Sequence, residues 1–287
     1  MTTATLSSNG THIPRTPQYF GTLTETEPGL DGATLRARYK ADGYVLLRGA
    51  IPAEDAWDLR EAYLSLFGPA LCKNGDARYG AFSGHMPDEL PSHGIKGHPA
   101  YDFVRSDTFK SFVSQAVFRE IGETFFGAPA ERINRTPLRH FIPGRNHASR
   151  AHLDKAYIDG LPADVVTIWV PLGDCPVVCG SLHYLEGSHL DAGLEESVRG
   201  QAPTDRAHDK RPLTHDLRWI SDRTRRRWLA TDYRAGDIVV HSPDIVHAAL
   251  DPGDTDYMRV STDIRFRRAG SPADPRWADD WSADDGY

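Results

Sequence analysis

Apolar residues recur every three or four positions in three segments of the first half of the chain, which predicts helices. The predicted helices cover residues 33–40, 52–68 and 109–126. Pro52 suits the first turn of the second helix, and Gly68 suits its C-cap. The second pattern is apolar on one side only, so we expect this helix to lie on a core rather than inside one.

The pattern changes after residue 130, where short apolar runs rich in β-branched and aromatic residues alternate with turns. Residues 43–48 show the same signal earlier in the chain. Predicted strands cover residues 43–48, 134–142, 164–172, 181–185, 228–233, 237–241, 245–250 and 257–267. Early helices followed by many short strands predict an α+β fold with a β-sandwich or barrel core.

The remaining segments show no clear period. Residues 1–20 are interpreted as a flexible N-terminal tail, and residues 21–287 as a single domain. Residues 69–100 form a long loop with three histidines, a length that is typical of an active-site lid. Residues 190–226 are a polar insertion, and we expect the tryptophans of the C-terminal segment, Trp277 and Trp281, to pack back onto the domain.

Composition excludes several classes of protein. The net charge of −7 over 287 residues argues against general nucleic-acid binding. No run approaches the roughly 20 apolar residues of a membrane span, and the polar N-terminus does not resemble a secretory signal. Three cysteines are few, and an odd number cannot all pair, so we expect no disulfide framework. We therefore expect a cytoplasmic protein that acts on a small molecule, without nucleic-acid or membrane partners.

Thirteen histidines make metal chemistry the first candidate. His152 and Asp154 are separated by one residue, so on an extended segment an imidazole and a carboxylate share one face. Residues 236–247 predict a strand and a turn that carry two further candidates, His241 and His247. Two histidines and one carboxylate on one face, with open positions left for other ligands, are the pattern of a non-haem Fe(II) oxygenase.

An arginine on the next predicted strand adds an anion-binding group. Arg259 and Ser261 share a face of that strand, and a guanidinium and a hydroxyl can bind one carboxylate together. Arg265 lies on the same face of the strand as both residues and is a competitor for this role, although it lies farther along the chain from the histidines.

The order His152-x-Asp154, a long insert, His247 and Arg259 resembles the phytanoyl-CoA dioxygenase family of Fe(II)- and 2-oxoglutarate-dependent oxygenases. The segments that carry the resemblance are residues 42–52, 167–172, 179–189 and 236–247. It implies a double-stranded β-helix core (jelly-roll, cupin-like) with N-terminal packing helices. The spacing of the family also favours His247 over His241 as the distal ligand.

The resemblance implies a role for each candidate residue. His152, Asp154 and His247 would hold Fe(II), while Arg259 and Ser261 would bind the C5 carboxylate of 2-oxoglutarate. The pocket would be lined by Trp169 and Arg139. The third ligand, Asp154, is present where related iron halogenases have a vacancy, which favours hydroxylation.

The expected reaction oxidises an unactivated C–H bond of a small natural product or amino-acid derivative with O2, releasing succinate and CO2. The alternatives are an acyl-CoA or other lipid hydroxylase of the same family and a cupin-like metalloenzyme that is not an oxygenase. A metal-free β-sandwich binding module is the alternative from a different class.

Overall fold

The computed structural model describes residues 5–27, 29–87, 90–91, 93–144, 148–157, 165–204, 209–253 and 256–283. The helices in these ranges are α1 (Gly32–Asp42), α2 (Ala53–Leu64), α3 (Ala100–Phe103), α4 (Asp107–Val113), α5 (Ala116–Phe126), α6 (Leu194–Val198) and α7 (Leu217–Thr224). The strands are β1 (Thr5–Ser8), β2 (Thr11–Pro14), β3 (Phe20–Thr22), β4 (Glu25–Thr26), β5 (Tyr44–Leu47), β6 (Ala130–Arg132), β7 (Leu138–Phe141), β8 (Val165–Pro171), β9 (Leu182–Leu185), β10 (Trp228–Ala230), β11 (Ile238–His241), β12 (His247–Ala249) and β13 (Arg259–Arg268). None of the helices within these ranges is long and apolar enough to cross a membrane.

Two sheets pack face to face around a buried interior. The larger sheet has the order β4-β5-β11-β8-β13-β6, with β7 also paired to β13, and the smaller has the order β12-β9-β10-β3. Trp169 and Val239 of the larger sheet lie in one buried cluster with Tyr184 and Leu229 of the smaller. The jelly-roll core expected from the sequence is therefore confirmed.

Helices cover the outer face of the larger sheet. On β8, Ile168 and Val170 belong to the same buried cluster as Tyr63 of α2 and Phe118 of α5. Successive side chains of a strand point to opposite faces, so Trp169 between them faces the interior of the two sheets. This alternation decides which residues reach the site described below.

The expected helices are present, with one difference. The first two agree with α1 and α2, and a short 3-10 turn extends α2 to Phe67. The helix predicted over residues 109–126 is wrong as a single element, because α4 and α5 are separate. Gln115 is extended, with ψ at 141°, and this bend lets Phe112 and Phe118 both reach the core.

Both ends of the described chain pack onto the body. Within the stretch interpreted as a loose tail, β1 and β2 form an antiparallel hairpin whose Leu6 and Ile13 are buried beside the smaller sheet. Residues 1–4 lie outside the described residues, and the domain boundaries stay a prediction. At the other end Trp277 and Trp281 are buried, and the Trp281 ring lies 4.5 Å from that of Tyr101.

The turn before β11 contains Gly236, where the positive φ and a close backbone contact require a residue without a Cβ. Its φ is +93°, and an added Cβ would lie 2.7 Å from the carbonyl oxygen of Ile51. We expect Gly236→Ala to lower the free energy of unfolding by about 1–3 kcal/mol, measured by urea denaturation. Gly49 is the matched control, because it also has a positive φ but nothing lies within 4 Å of its Cβ position. Equal losses in the two variants would contradict the steric explanation.

Candidate metal centre

The backbone brings His152 and His247 side by side. Each donates its amide N–H to the carbonyl oxygen of the other, both at 3.0 Å, so the segment at residue 152 continues the smaller sheet beside β12. Leu153 is extended and Asp154 begins a 3-10 turn. The short extended stretch therefore turns the side chains of residues 152 and 154 toward the same interior point.

Three potential ligand atoms converge there. One nitrogen from each of His152 and His247 and one oxygen of Asp154 all lie within 4.8 Å of one another. Oδ1 of Asp154 is 3.9 Å from Nε2 of His152 and 3.7 Å from Nε2 of His247. All three side chains are buried. The separations of 3.7 and 3.9 Å fit one first-row ion, whose bonds to nitrogen and oxygen ligands are about 2.0–2.2 Å long.

Hydrogen bonds orient both imidazoles so that they could bind a metal ion. Nδ1 of His152 donates to the carbonyl oxygen of Arg150 at 2.6 Å, and Nδ1 of His247 donates to that of Ile245 at 3.1 Å. The proton on Nδ1 leaves the lone pair of Nε2 directed at the site. Burial lowers the pKa of both histidines, which keeps them neutral and able to bind a cation.

The carboxylate of Asp154 accepts hydrogen bonds from two further side chains and lies near a third. Thr167 donates its hydroxyl to Oδ2 at 2.6 Å, and Arg265 donates from Nη2 to Oδ1 at 3.1 Å. Nε2 of His241 lies 3.5 Å from Oδ2. Burial alone would raise the pKa of Asp154, but the Arg265 guanidinium and the neighbouring histidines hold it well below its usual range.

Two of these neighbours were not assigned to the metal site from sequence. Arg265 was a competitor for the co-substrate carboxylate, yet β13 pairs with β8 so that Arg265 stands opposite Thr167, next to Asp154. For His241, the spacing of the family favours His247 in its place as the distal ligand. The group of three converging ligands includes His247 and not His241, but His241 still contacts the carboxylate. Side chains alternate between the two faces along β13 and β11, and this alternation turns Arg265 and His241 toward the interior. It was the sequence pattern from which both neighbours could have been predicted.

A second polar region lies at the start of β13. The Arg259 side chain is 1% exposed, its Nη1 donates to the carbonyl oxygen of Gly180 at 2.6 Å, and its guanidinium lies 4.0 Å from the ring centre of Phe141. Burial lowers the pKa of Arg259 to about 10. A buried guanidinium with so few acceptors is a site for an anion.

Unsatisfied donors surround this arginine. Among the described residues, Nε of Arg259, Oγ of Ser261 and Nε1 of Trp169 have no hydrogen-bond partner although all three atoms are buried. Arg259 and Ser261 share the inward face of β13. Asp263 is the next residue on that face, and Trp169 of β8 stands opposite it. Because buried polar groups are normally paired, these donors fit a dicarboxylate that accepts from them.

Arg139 lies beside this region but is engaged elsewhere. It pairs with Ser261 across β7 and β13, and its Nε donates to Oδ2 of Asp263 at 2.7 Å. The predicted role of Arg139 in the co-substrate pocket is therefore compatible with its position, while its guanidinium is shared with an acidic neighbour.

The fold and the site together define a class of protein. A jelly-roll interior with two imidazoles and one carboxylate on one side, and a buried cationic pocket nearby, is the arrangement of the non-haem Fe(II) oxygenases. A sequence model of the phytanoyl-CoA dioxygenase (PhyH) family matches residues 39–252, and the chain belongs to this family of Fe(II)- and 2-oxoglutarate-dependent enzymes. The matched range contains His152, Asp154 and His247 and ends before Arg259.

Solved structures share the fold at low sequence identity. The epimerase SnoN, in complex with Fe3+, alpha ketoglutarate and nogalamycin RO, has a TM-score of 0.58 at 22% identity over 85% of this chain and 86% of SnoN. The carbocyclase SnoK from nogalamycin biosynthesis has a TM-score of 0.59 at 22% identity over 88% and 90%. AviO1 from Streptomyces viridochromogenes Tue57 has a TM-score of 0.56 at 18% identity over 87% and 100%. No curated protein matches the sequence significantly.

Proposed function

We propose that this protein hydroxylates an unactivated C–H bond of a small molecule, using Fe(II), 2-oxoglutarate and O2, and releases succinate and CO2. The observation that carries this proposal is the convergence of His152, Asp154 and His247 beside the unsatisfied buried donors around Arg259. One set of residues suits a divalent cation, and the other suits a carboxylate. A metalloenzyme without an oxo-acid co-substrate would have no use for the second set.

The residues divide the work between metal and co-substrate. His152, Asp154 and His247 would hold the iron, and Arg259 with Ser261 would bind the distal carboxylate of 2-oxoglutarate. When both are bound, they supply an oxidant, since O2 is reduced as 2-oxoglutarate loses CO2. Three protein ligands leave open positions for the co-substrate and for O2.

The protein's own contribution is orientation and exclusion of water. Trp169 and Tyr233 pack with ring centres 4.7 Å apart in the buried interior. This apolar wall strengthens the attraction between Arg259 and a carboxylate, because charges interact more strongly where water is absent. It also limits side reactions of the oxidising species with solvent.

The proposed substrate class is a natural product or amino-acid derivative. SnoN is described in complex with nogalamycin RO, and SnoK comes from nogalamycin biosynthesis. These neighbours support a small-molecule substrate for this chain. A cytoplasmic location is proposed on the chemistry of the three cysteines, which are buried and form no disulfide among the described residues.

Anaerobic titration tests the cofactor assignment. We expect the protein to bind one Fe(II), and added 2-oxoglutarate to produce a weak charge-transfer band in the visible spectrum. Succinate is the matched control ligand: it keeps a carboxylate for Arg259 but has no keto group with which to chelate the metal. A protein that binds Fe(II) fully and shows no band with 2-oxoglutarate would contradict this function and favour a non-oxygenase metalloenzyme. Failure to bind Fe(II) would favour a metal-free binding module.

The mass of the product distinguishes hydroxylation from the reactions named for the neighbours. With 18O2, a hydroxylated product gains one labelled oxygen. Epimerisation, the activity named for SnoN, leaves the mass unchanged, and ring closure with loss of two hydrogens lowers it. Screening natural products and acyl-CoA esters in parallel separates the proposed substrate class from a lipid substrate.

A further inference from the structure

We propose that His241 is a positioning residue that holds Asp154 with a single oxygen turned toward the metal. This role rests on the proposed function, because it concerns the geometry of the same iron site. It assigns a purpose to a buried histidine that is not one of the three converging ligands.

His241 ends β11 on its inward face. It stands opposite Thr167 of β8, its side chain is 1% exposed, and its ring centre lies 4.8 Å from that of His247. The hydroxyl of Tyr184 lies 3.0 Å from its Nδ1. His241 is therefore fixed between Tyr184 on one side and Asp154 on the other.

The neighbouring groups decide which ring nitrogen carries the proton. Nε2 of His241 has no hydrogen-bond partner among the described residues, and it lies 3.5 Å from Oδ2 of Asp154. If Nδ1 carried the proton, a lone pair on Nε2 would face a carboxylate oxygen, which is repulsive. With the phenol of Tyr184 donating to Nδ1, the proton sits on Nε2 and is aimed at Oδ2.

The two oxygens of Asp154 are consequently unequal. Oδ2 accepts from Thr167 and faces His241, whereas Oδ1 is the oxygen nearest to Nε2 of both His152 and His247. Arg265 reaches both oxygens, at 3.1 Å from Oδ1 and 3.4 Å from Oδ2. Oδ1 accepts one hydrogen bond, from Arg265, and keeps its second lone pair for the ion, whereas Thr167 and His241 both lie against Oδ2 and oppose chelation by both oxygens.

This arrangement matters because a chelating carboxylate would occupy a position that the co-substrate or O2 needs. Loss of a partner that orients a metal ligand typically weakens metal affinity by about 10–100-fold. We expect His241→Leu to weaken Fe(II) affinity by a factor in this range and to shift the visible band of the Fe(II)–2-oxoglutarate complex. Leucine keeps much of the ring's volume and removes the donor.

Two further variants make the test specific to the hydrogen bond. We expect His241→Gln, whose amide N–H can take the place of Nε2–H, to recover most of the metal affinity and the position of the band. Tyr184→Phe removes only the hydroxyl that fixes the tautomer, so we expect a smaller change in the same direction. If the leucine variant does not fold, as judged by circular dichroism, these two variants carry the comparison.

The measurements are Fe(II) binding by anaerobic titration, the visible band with 2-oxoglutarate, and the His241 tautomer by 15N NMR of the metal-free protein. Wild-type metal affinity and an unshifted band in the leucine variant, or in both other variants if it does not fold, would overturn the role of His241. So would a proton found on Nδ1 in the metal-free wild type. A wild-type protein that shows no band at all would instead overturn the proposed function.

Discussion

We expect the His152→Ala variant to lose substrate-coupled succinate formation by more than about 100-fold, since loss of partners that merely orient metal ligands already costs about 10–100-fold. The physical reason is the number of ligands. With three protein ligands, removal of one leaves His247 and Asp154 alone to hold the ion. The measurement is succinate formed per enzyme in the presence of substrate, together with Fe(II) content.

His183→Ala is the matched control for this variant. His183 is also fully buried, and its Nδ1 donates to the carbonyl oxygen of Ser181 at 2.7 Å, as Nδ1 of His152 does to Arg150. It lies on β9 beside Tyr184, on the face away from the interior, and is not part of the ligand group. We expect it to lose stability but keep Fe(II). Wild-type turnover by His152→Ala would refute the ligand assignment.

The second large effect is expected at Arg259. Arg259→Ala should weaken 2-oxoglutarate binding by about 100-fold, because hydrogen bonds to charged groups contribute about 1.5–3 kcal/mol each and about 1.4 kcal/mol is a factor of ten. Fe(II) binding should remain, since Arg259 is not a metal ligand. Arg259→Lys keeps the charge but loses the forked geometry, so an intermediate affinity is expected. The affinity of the wild type and of both variants for 2-oxoglutarate is measured by anaerobic titration.

Arg267 provides the control on the same strand. It lies on the same face of β13 as Arg259 but near the opposite end of the strand, where it forms an ion pair with Glu131. Arg267→Ala should bind 2-oxoglutarate as the wild type does. An unchanged affinity in Arg259→Ala would remove this arginine from the co-substrate site and make Arg139 the next candidate.

Much of the fold followed from local patterns. The β-branched run at residues 164–172 predicted β8, and the apolar spacing at residues 33–40 predicted α1, which Asp31 caps by accepting from two backbone N–H groups. The single helix expected over residues 109–126 failed because its apolar spacing continues across Gln115. Tertiary packing, not local propensity, bends the chain at that point so that the apolar faces of both helices meet the sheet.

The candidate site divides in the same way. Sequence alone determined the residue types and their order: His152 and Asp154 on one extended segment, His247 after a strand, and Arg259 with Ser261 on one face of the next. These relations span a few residues each, so the alternation of a strand is enough to establish them. The same rule showed that Arg265 and Arg259 share a face.

Only the tertiary structure decided what each inward residue meets. Arg265 stands opposite Thr167 and bonds Asp154, more than a hundred positions away along the chain, and Arg139 meets Asp263 across a strand pair. Alternation gives the face of a side chain but not the strand that lies beside it. That choice depends on strand register, which the burial of the whole sheet sets. For this reason the approach of His241 to Asp154 appears only in the tertiary structure.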